Sequence, residues 1–298
     1  MMKPNRVLFI LLLVGSAGIA RAQQIGQFTQ FMFNPLVINP AVAGTNNYYQ
    51  IRSNHRFQWL GITDPPITNS LSIYGPHSKY DMGYGGYIIS DVTGPTSRTG
   101  ISGAYAYNIA VNDEMRVSMG LAMGLYQYKV DVSKIQLIDN NDPARNNVYS
   151  DLYPDAAIGV YLYATSYQVG FSADQLIPNK VKIYDSQTGL SKLKTHYYLT
   201  GSYRYYINRD WAIEPNVMIK GVTPVPIQMD LNVRALFRNL VWGGISWRTG
   251  DAISIILGYN NENKFNIGYS YDMGISSIRS YNSGSHELMI SYRFNKVK

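Results

Sequence analysis

The sequence predicts an all-β chain closed into a transmembrane antiparallel barrel of about 14 strands, and three observations carry that prediction. The first is composition: 26 Tyr and 26 Gly stand beside only 15% charged residues, and neither Tyr nor Gly favours a helix. The second is alternation of apolar and polar residues in segments of about ten, long enough at about 3.3 Å per residue and ~45° tilt to cross an outer-membrane apolar band. The third is the rhythm of the connections, where tight turns alternate with longer loops, as a barrel with both termini in the periplasm requires.

The elements follow in chain order. Residues 1–22 read as a cleaved secretory signal. Lys3 and Arg6 supply the positive start, Val7 to Val14 the apolar run, and Ala20-Arg21-Ala22 a small-x-small cleavage site before Gln23. Eight strongly apolar residues followed by Gly15, Ser16, Gly18 and Arg21 are too few to span a bilayer, and no Cys marks a lipoprotein site. Removing Lys3, Arg6 and Arg21 lowers the formal charge from +7 to +4. The remaining basic residues are scattered, which points away from nucleic acid. With no Cys anywhere, the exported chain must hold together without disulfides.

Residues 23–47 form an apolar stretch broken by Asn34-Pro35 and Asn39-Pro40, too proline-rich for a helix or an inner strand. It precedes the first strand and is therefore expected on the periplasmic side, either folding into or across that mouth as a plug, with Phe28, Phe31, Phe33, Leu36 and Ile38 as anchors, or packing on its rim as a tail.

Residues 48–298 are expected to form the barrel. Fourteen strands are predicted at 48–57, 67–76, 82–91, 98–110, 115–128, 154–164, 166–174, 195–207, 210–221, 226–238, 240–249, 251–261, 263–273 and 284–294. Residues 115–125 show the period-2 pattern well, with Met115, Val117, Met119, Leu121, Met123 and Leu125 alternating with Arg116, Ser118, Gly120, Ala122 and Gly124. Connections 129–153 and 175–194 are long. Those after the first, ninth and thirteenth strands are intermediate, and the tight "TG" after the eleventh breaks the rhythm. Tyr and Trp gather near segment ends, as aromatic girdles would. Arg116, Arg204, Glu214, Lys220, Asp230, Arg234, Arg248, Asp272 and Arg293 fall on the face opposite the apolar one. Since Arg or Lys facing lipid at the midplane costs about 2–4 kcal/mol, these charges belong in the lumen, where mixed signs such as Lys220 and Asp230 predict pairing.

No constellation for chemistry emerges. His55, His77, His196 and His286 are isolated and lack zinc spacing, there is no Gly-x-Ser-x-Gly elbow, and "DNNDPARNNVYSD" (139–151) lacks the Gly and terminal Glu of a calcium loop. No enzyme activity, cofactor or metal is expected.

One long motif carries a resemblance. "QFTQFMFNPLVINPAVAGT" (27–45) matches through Gln27, Phe28, Thr29, Gln30, Phe31, Met32, Phe33, Asn34, Leu36, Asn39, Pro40, Ala41, Ala43 and Gly44 a signature that resembles the start of the PorP/SprF family of Bacteroidetes outer-membrane proteins. "HRFQWLGITDPPIT" (55–68), with Arg56, Gln58 and Trp59, resembles that family's first-hairpin block, although "TDPPIT" replaces a Gly-Ala-Pro-like turn. "DVTGPTSRTGISGAYAY" (91–107), "GLYQYKVDVSKIQLIDNNDP" (124–143) and "YPDAAIGVYLY" (153–163) resemble later blocks. The resemblance implies a component of type IX secretion and gliding machinery, serving secretion or surface attachment of adhesin-like cargo. Its implied partners are the cargo's C-terminal sorting domain, other secretion-system proteins, a periplasmic peptidoglycan-binding lipoprotein and outer-membrane lipid. The plug segment, Pro35 included, would be a candidate partner site. A rival reading is an outer-membrane channel or hydrophobic-compound transporter with an N-terminal hatch. A transporter of that kind should have an apolar interior, whereas the inward set here is charged and amide-rich.

Overall fold

A computed structural model describes residues 26–135, 148–181, 191–261 and 264–296; the expected signal peptide lies outside them. Alternating side chains put one face of each segment against lipid and the other inside, and the strands close on themselves to leave no unpaired edge. The strands are β1 (Tyr49–Phe57), β2 (Ile67–Pro76), β3 (Met82–Thr93), β4 (Thr96–Ala110), β5 (Arg116–Asp131), β6 (Val148–Tyr163), β7 (Tyr167–Asp174), β8 (His196–Tyr203, continued by Tyr205–Tyr206), β9 (Trp211–Val222), β10 (Val225–Phe237), β11 (Val241–Arg248), β12 (Ala252–Asn261), β13 (Phe265–Gly274) and β14 (Ser285–Phe294).

Each strand pairs antiparallel with its sequence neighbours. Closure comes from β1 against β14, with Tyr49 opposite Phe294 and Phe57 opposite His286. The result is a closed 14-strand antiparallel barrel. Tyr49 and Phe294 mark the end at which both barrel termini emerge, the periplasmic end by the usual topology.

The outward rows are apolar on most strands, for example Met119, Leu121, Met123 and Leu125 on β5 and Ile253, Ile255 and Leu257 on β12. Tyr80, Tyr84, Tyr205, Tyr206 and Trp211 are exposed at the periplasmic end, where a girdle belongs.

The connections depart from the expected rhythm in three places. The outer turn between β3 and β4 is only Gly94-Pro95, and that between β9 and β10 only Thr223-Pro224, alongside the tight turn between β11 and β12. Strand β6 starts at Val148 rather than 154, and β5 runs to Asp131. Cross-strand pairing continues up to Asp131 opposite Val148, so the polar residues read as loop extend the hairpin above the band. In the connection after β7, Lys180–Val181 pairs with Ser191–Lys192 as a short ribbon. The wall thus leaves four larger outer connections, after β1, β5, β7 and β13.

Candidate functional site in the barrel lumen

Residues 26–43 lie inside the barrel, and 44–48 lead from its periplasmic end into β1. Three short 3-10 turns shape them, at Phe31–Phe33, Pro35–Val37 and Pro40–Val42. The two Asn-Pro pairs start the second and third turns, where proline's fixed φ and missing N–H cost nothing. The asparagines then diverge. Asn39 accepts from Ala41 N at 2.9 Å as an N-cap, while its Nδ2 donates to the Val160 and Phe171 carbonyls of the wall at 3.1 and 3.3 Å. Asn34 makes no cap. It reaches the wall instead, donating to Asn54 Oδ1 at 3.2 Å and Ser70 Oγ at 3.1 Å and accepting from Ser72 Oγ at 2.8 Å.

The segment runs deeper than the mouth at which sequence reasoning placed it. Gly44 meets Gly83 at the periplasmic end of β3. Phe33 packs with Ala212, Leu236 and Trp242 in the lower half. Thr29 and Gln30 reach Glu287 near the outer end of β14. Gln27 exchanges amide hydrogen bonds of 3.0 and 2.9 Å with Gln228, close to the outer turn of β10. Phe28, Leu36 and Ala41–Ala43 complete the packing against Tyr74, Tyr87, Tyr126, Tyr153 and Tyr161, and Phe31 packs against Tyr198 and Met218. Met32 packs against both the Phe33 cluster and the Phe31 cluster. Pro35 and Ile38 border a small cavity with Tyr161, Thr200 and Asn216.

Glycines in the wall make this close approach possible. A Cβ at Gly120 would fall 2.3 Å from Ala41 N, one at Gly83 2.3 Å from Gly44 Cα, and one at Gly268 2.3 Å from Gln30 Oε1. Asn39 Oδ1 would lie 2.0 Å from a Cβ at Gly159. The plug backbone therefore rests where only glycine leaves room.

Charges hold the segment at two levels. In the outer half, Glu287 accepts the backbone N–H groups of Thr29 at 2.6 Å and Gln30 at 3.1 Å. Arg56 Nη1 lies 2.6 Å from Asp272 and 3.4 Å from Glu287, and it donates to Thr29 Oγ1 at 2.7 Å, whose hydroxyl donates to Asp272 at 2.8 Å. Arg248 pairs with Asp230 at 2.9 Å and with Asp251 at 3.2 Å, and reaches the Phe28 carbonyl at 3.4 Å. In the lower half, Glu214 is clamped between Arg204 at 2.6 Å and Arg234 at 2.5 Å. The Arg234 guanidinium stands 4.5 Å from the Phe33 ring centre, a cation–π contact in a dry setting.

Of the charges expected in the lumen, Glu214, Lys220, Asp230, Arg234, Arg248 and Asp272 are buried there. Arg204 and Arg293 are half-buried at the periplasmic end, Arg293 over the Tyr48 ring at 5.0 Å. Asp230 takes Arg248, its direct cross-strand partner, while the Lys220 ammonium sits 6.0 Å from the Tyr198 ring centre. Arg116 pairs with Asp81 on the periplasmic rim. The first-hairpin block divides: Arg56 is an inner member of the outer cluster, whereas Gln58 and Trp59 belong to the loop above β1. There Trp59 N donates to Ser285 Oγ at 3.0 Å, and Leu60 exchanges backbone bonds with Ser283 and Gly284, tying the first outer loop to the last.

Sequence reasoning missed Glu287, Asn54, Ser70 and Ser72. Counting back by twos from Arg293 through Ser291 and Met289 puts Glu287 on the inward face, so alternation held that signal. Among the described residues, no cluster of three or more His, Asp or Glu side chains forms a metal site.

The chain is similar in fold to solved structures of a channel, a transporter and a porin. The CymD monoaromatic hydrocarbon channel aligns at 12% identity over 96% of each chain with a TM-score of 0.50. The P. putida toluene transporter TodX aligns at 8% identity over 86% of this chain and 92% of its own, also at 0.50. The KdgM porin aligns at 12% identity over 83% of this chain and 99% of its own, at 0.43. At such identities the likeness is one of fold alone. No curated protein matches the sequence. A family model described as type IX secretion system membrane protein PorP/SprF matches residues 20–292, and with the motif at 27–45 seated in the lumen of such a barrel, the chain belongs to the PorP/SprF family.

Proposed function

We propose that this protein is a non-enzymatic, plugged outer-membrane scaffold of the type IX secretion machinery, needed for secretion or surface attachment of adhesin-like cargo whose C-terminal sorting domain it engages. The observation that supports this most is the segment 26–48, which threads the lumen from its outer level to the periplasmic end through buried polar contacts. A barrel filled in this way favours a rigid docking body over an open conduit. Cargo then meets the outer connections, with 129–153 and 175–194 as the candidate loops. The plug segment and the periplasmic turns serve the machinery's other components and a peptidoglycan-binding lipoprotein.

The test is deletion of 24–44 with the signal retained. Loss of cargo display from a barrel that still inserts is expected, and unchanged display overturns the plug's role. The rival hatch-gated transporter of hydrophobic compounds predicts an apolar interior, whereas Gln50, Arg52, Asn54, Arg56, Asn216 and Asn232 are buried on the inward face. Strong solute flux in liposome swelling by the intact protein would favour the channel.

A further inference from the structure

The lipid-facing wall is apolar on most strands and polar in one sector. Ser53 and His55 alternate with the buried Asn54 and Arg56 on β1, and Asn69 lies between the buried Thr68 and Ser70 on β2; all three therefore point outward. Register sets His55 opposite Asn69, Asn69 opposite Ser90, Ser90 opposite Thr99 and Thr99 opposite Gln127, so one polar row crosses five strands, β1 to β5. Its members bond along the wall. His55 Nδ1 is 2.7 Å from Asn69 Oδ1 and His55 Nε2 2.8 Å from Ser53 Oγ, while Ser90 Oγ is 3.3 Å from Thr99 Oγ1. The Asn69 amide nitrogen has no partner among the described residues.

On β1 and β2 the row lies below the water line. His55 is six positions from Tyr49 and Asn69 seven from Pro76. At about 3.3 Å per residue and ~45° tilt they stand about 14–16 Å above the periplasmic end, inside an apolar band about 25 Å tall. Ile51, Leu71, Ile88 and Ile101 flank the row below, and Phe57 and Val92 above. On the corresponding face of β12, Ile253, Ile255 and Leu257 occupy the band. Hydrocarbon offers no partner to an amide or an imidazole. Just below the row, Gly86 and Gly103 stand opposite each other, and a Cβ on Gly103 would meet nothing within 4 Å, leaving bare backbone on the outer surface. Small residues combined with Ser, Thr, Asn and His are the composition by which membrane helices pack on one another, and the same groups are presented here on a strand face.

We infer that the outward face of β1–β4 is a dimer interface that binds the same face of a second copy of this chain within the membrane. All copies share one orientation in the bilayer, so a two-fold axis relating them lies along the membrane normal and sets the polar sectors of the two copies against each other. Its hydroxyl, amide and imidazole groups each donate and accept, and the row carries no charged side chain to repel its own image. The row therefore complements itself. This inference is independent of the proposed role in secretion.

The chain contains no Cys, which makes the test direct. Single variants Ser53→Cys and Asn69→Cys, in native outer membranes treated with a short bis-maleimide, are expected to give a species of twice the protomer mass. Leu199→Cys on β8, the far wall, is lipid-facing and is expected to stay monomeric. The double variant Ser53→Leu/Asn69→Leu is expected to lower the dimer fraction in mild detergent at least tenfold by light scattering, with the heat-modifiable mobility of the folded barrel unchanged. No double-mass species from positions 53 and 69 overturns the inference. So does equal cross-linking at 199, or an adduct of any other mass, which would mean a lipid or a different protein. If the leucine variant does not insert, the cysteine variants still decide.

Discussion

Replacing Glu287 with Ala tests whether the plug is held by buried charge. Its carboxylate accepts from Thr29 N at 2.6 Å and Gln30 N at 3.1 Å, with Arg56 at 3.4 Å. Removing it strands two backbone N–H groups where Thr29 and Gln30 are 2% and 0% exposed. Hydrogen bonds to a charged acceptor contribute about 1.5–3 kcal/mol each, so the two sum to about 3–6 kcal/mol. Two effects offset part of this. Arg56 keeps Asp272 at 2.6 Å, so no buried cation is left alone, and the like-charge proximity of Asp272 and Glu287 is relieved. A net local loss of about 2–4 kcal/mol remains, which converts to roughly 30- to 1000-fold faster amide exchange. Hydrogen exchange followed by mass spectrometry on peptides covering 27–33, in detergent-solubilised protein, reads this directly. Glu287→Gln keeps one acceptor and should fall between. Unchanged exchange at Thr29 and Gln30 in Glu287→Ala would refute the claim that this carboxylate anchors the segment.

Other perturbations separate the forces at work. Gly120→Val, whose Cβ would sit 2.3 Å from Ala41 N, is expected to expel the segment and expose 26–48 to protease, while Gly103→Val, with nothing within 4 Å, leaves the digestion pattern unchanged. Glu214→Ala leaves Arg204 and the buried Arg234 facing each other without their shared anion. A loss of about 3–5 kcal/mol is expected, read as a lower midpoint in denaturant-driven unfolding from lipid vesicles. Ile255→Arg places a cation on the lipid face of β12, where Ile255 is 50% exposed. It should destabilise by about 2–4 kcal/mol, whereas Ile255→Leu should be nearly neutral in the same titration.

Much of the architecture was legible because its cause is local. A strand that meets lipid on one side and a polar interior on the other must alternate with period 2, and that pattern placed all fourteen strands, most ends within a few residues. Strand β6 was started late, because Tyr149, Ser150 and Asp151 read as loop while the hairpin continues above the membrane band as paired polar strand. The inward side of Glu214, Asp230, Arg234 and Asp272 was equally legible, since a charge facing lipid is too costly to keep.

Sequence alone determined that residues 27–45 are stiff, apolar and proline-punctuated, and that they lie outside the strands. It could not say how far they penetrate, nor which wall residues receive them. Thr29 meets Glu287 across 258 positions of chain and Gln27 meets Gln228 across 201, separations that no periodicity encodes. Closing the cylinder brings β14 beside β1 and turns scattered inward residues into one lining. Only that closure sets the width that three 3-10 turns must fill, and only the close approach of two backbones reveals why Gly83, Gly120 and Gly268 carry no side chain. Period 2 records which way a residue points, whereas its partner across the lumen is fixed by the circumference.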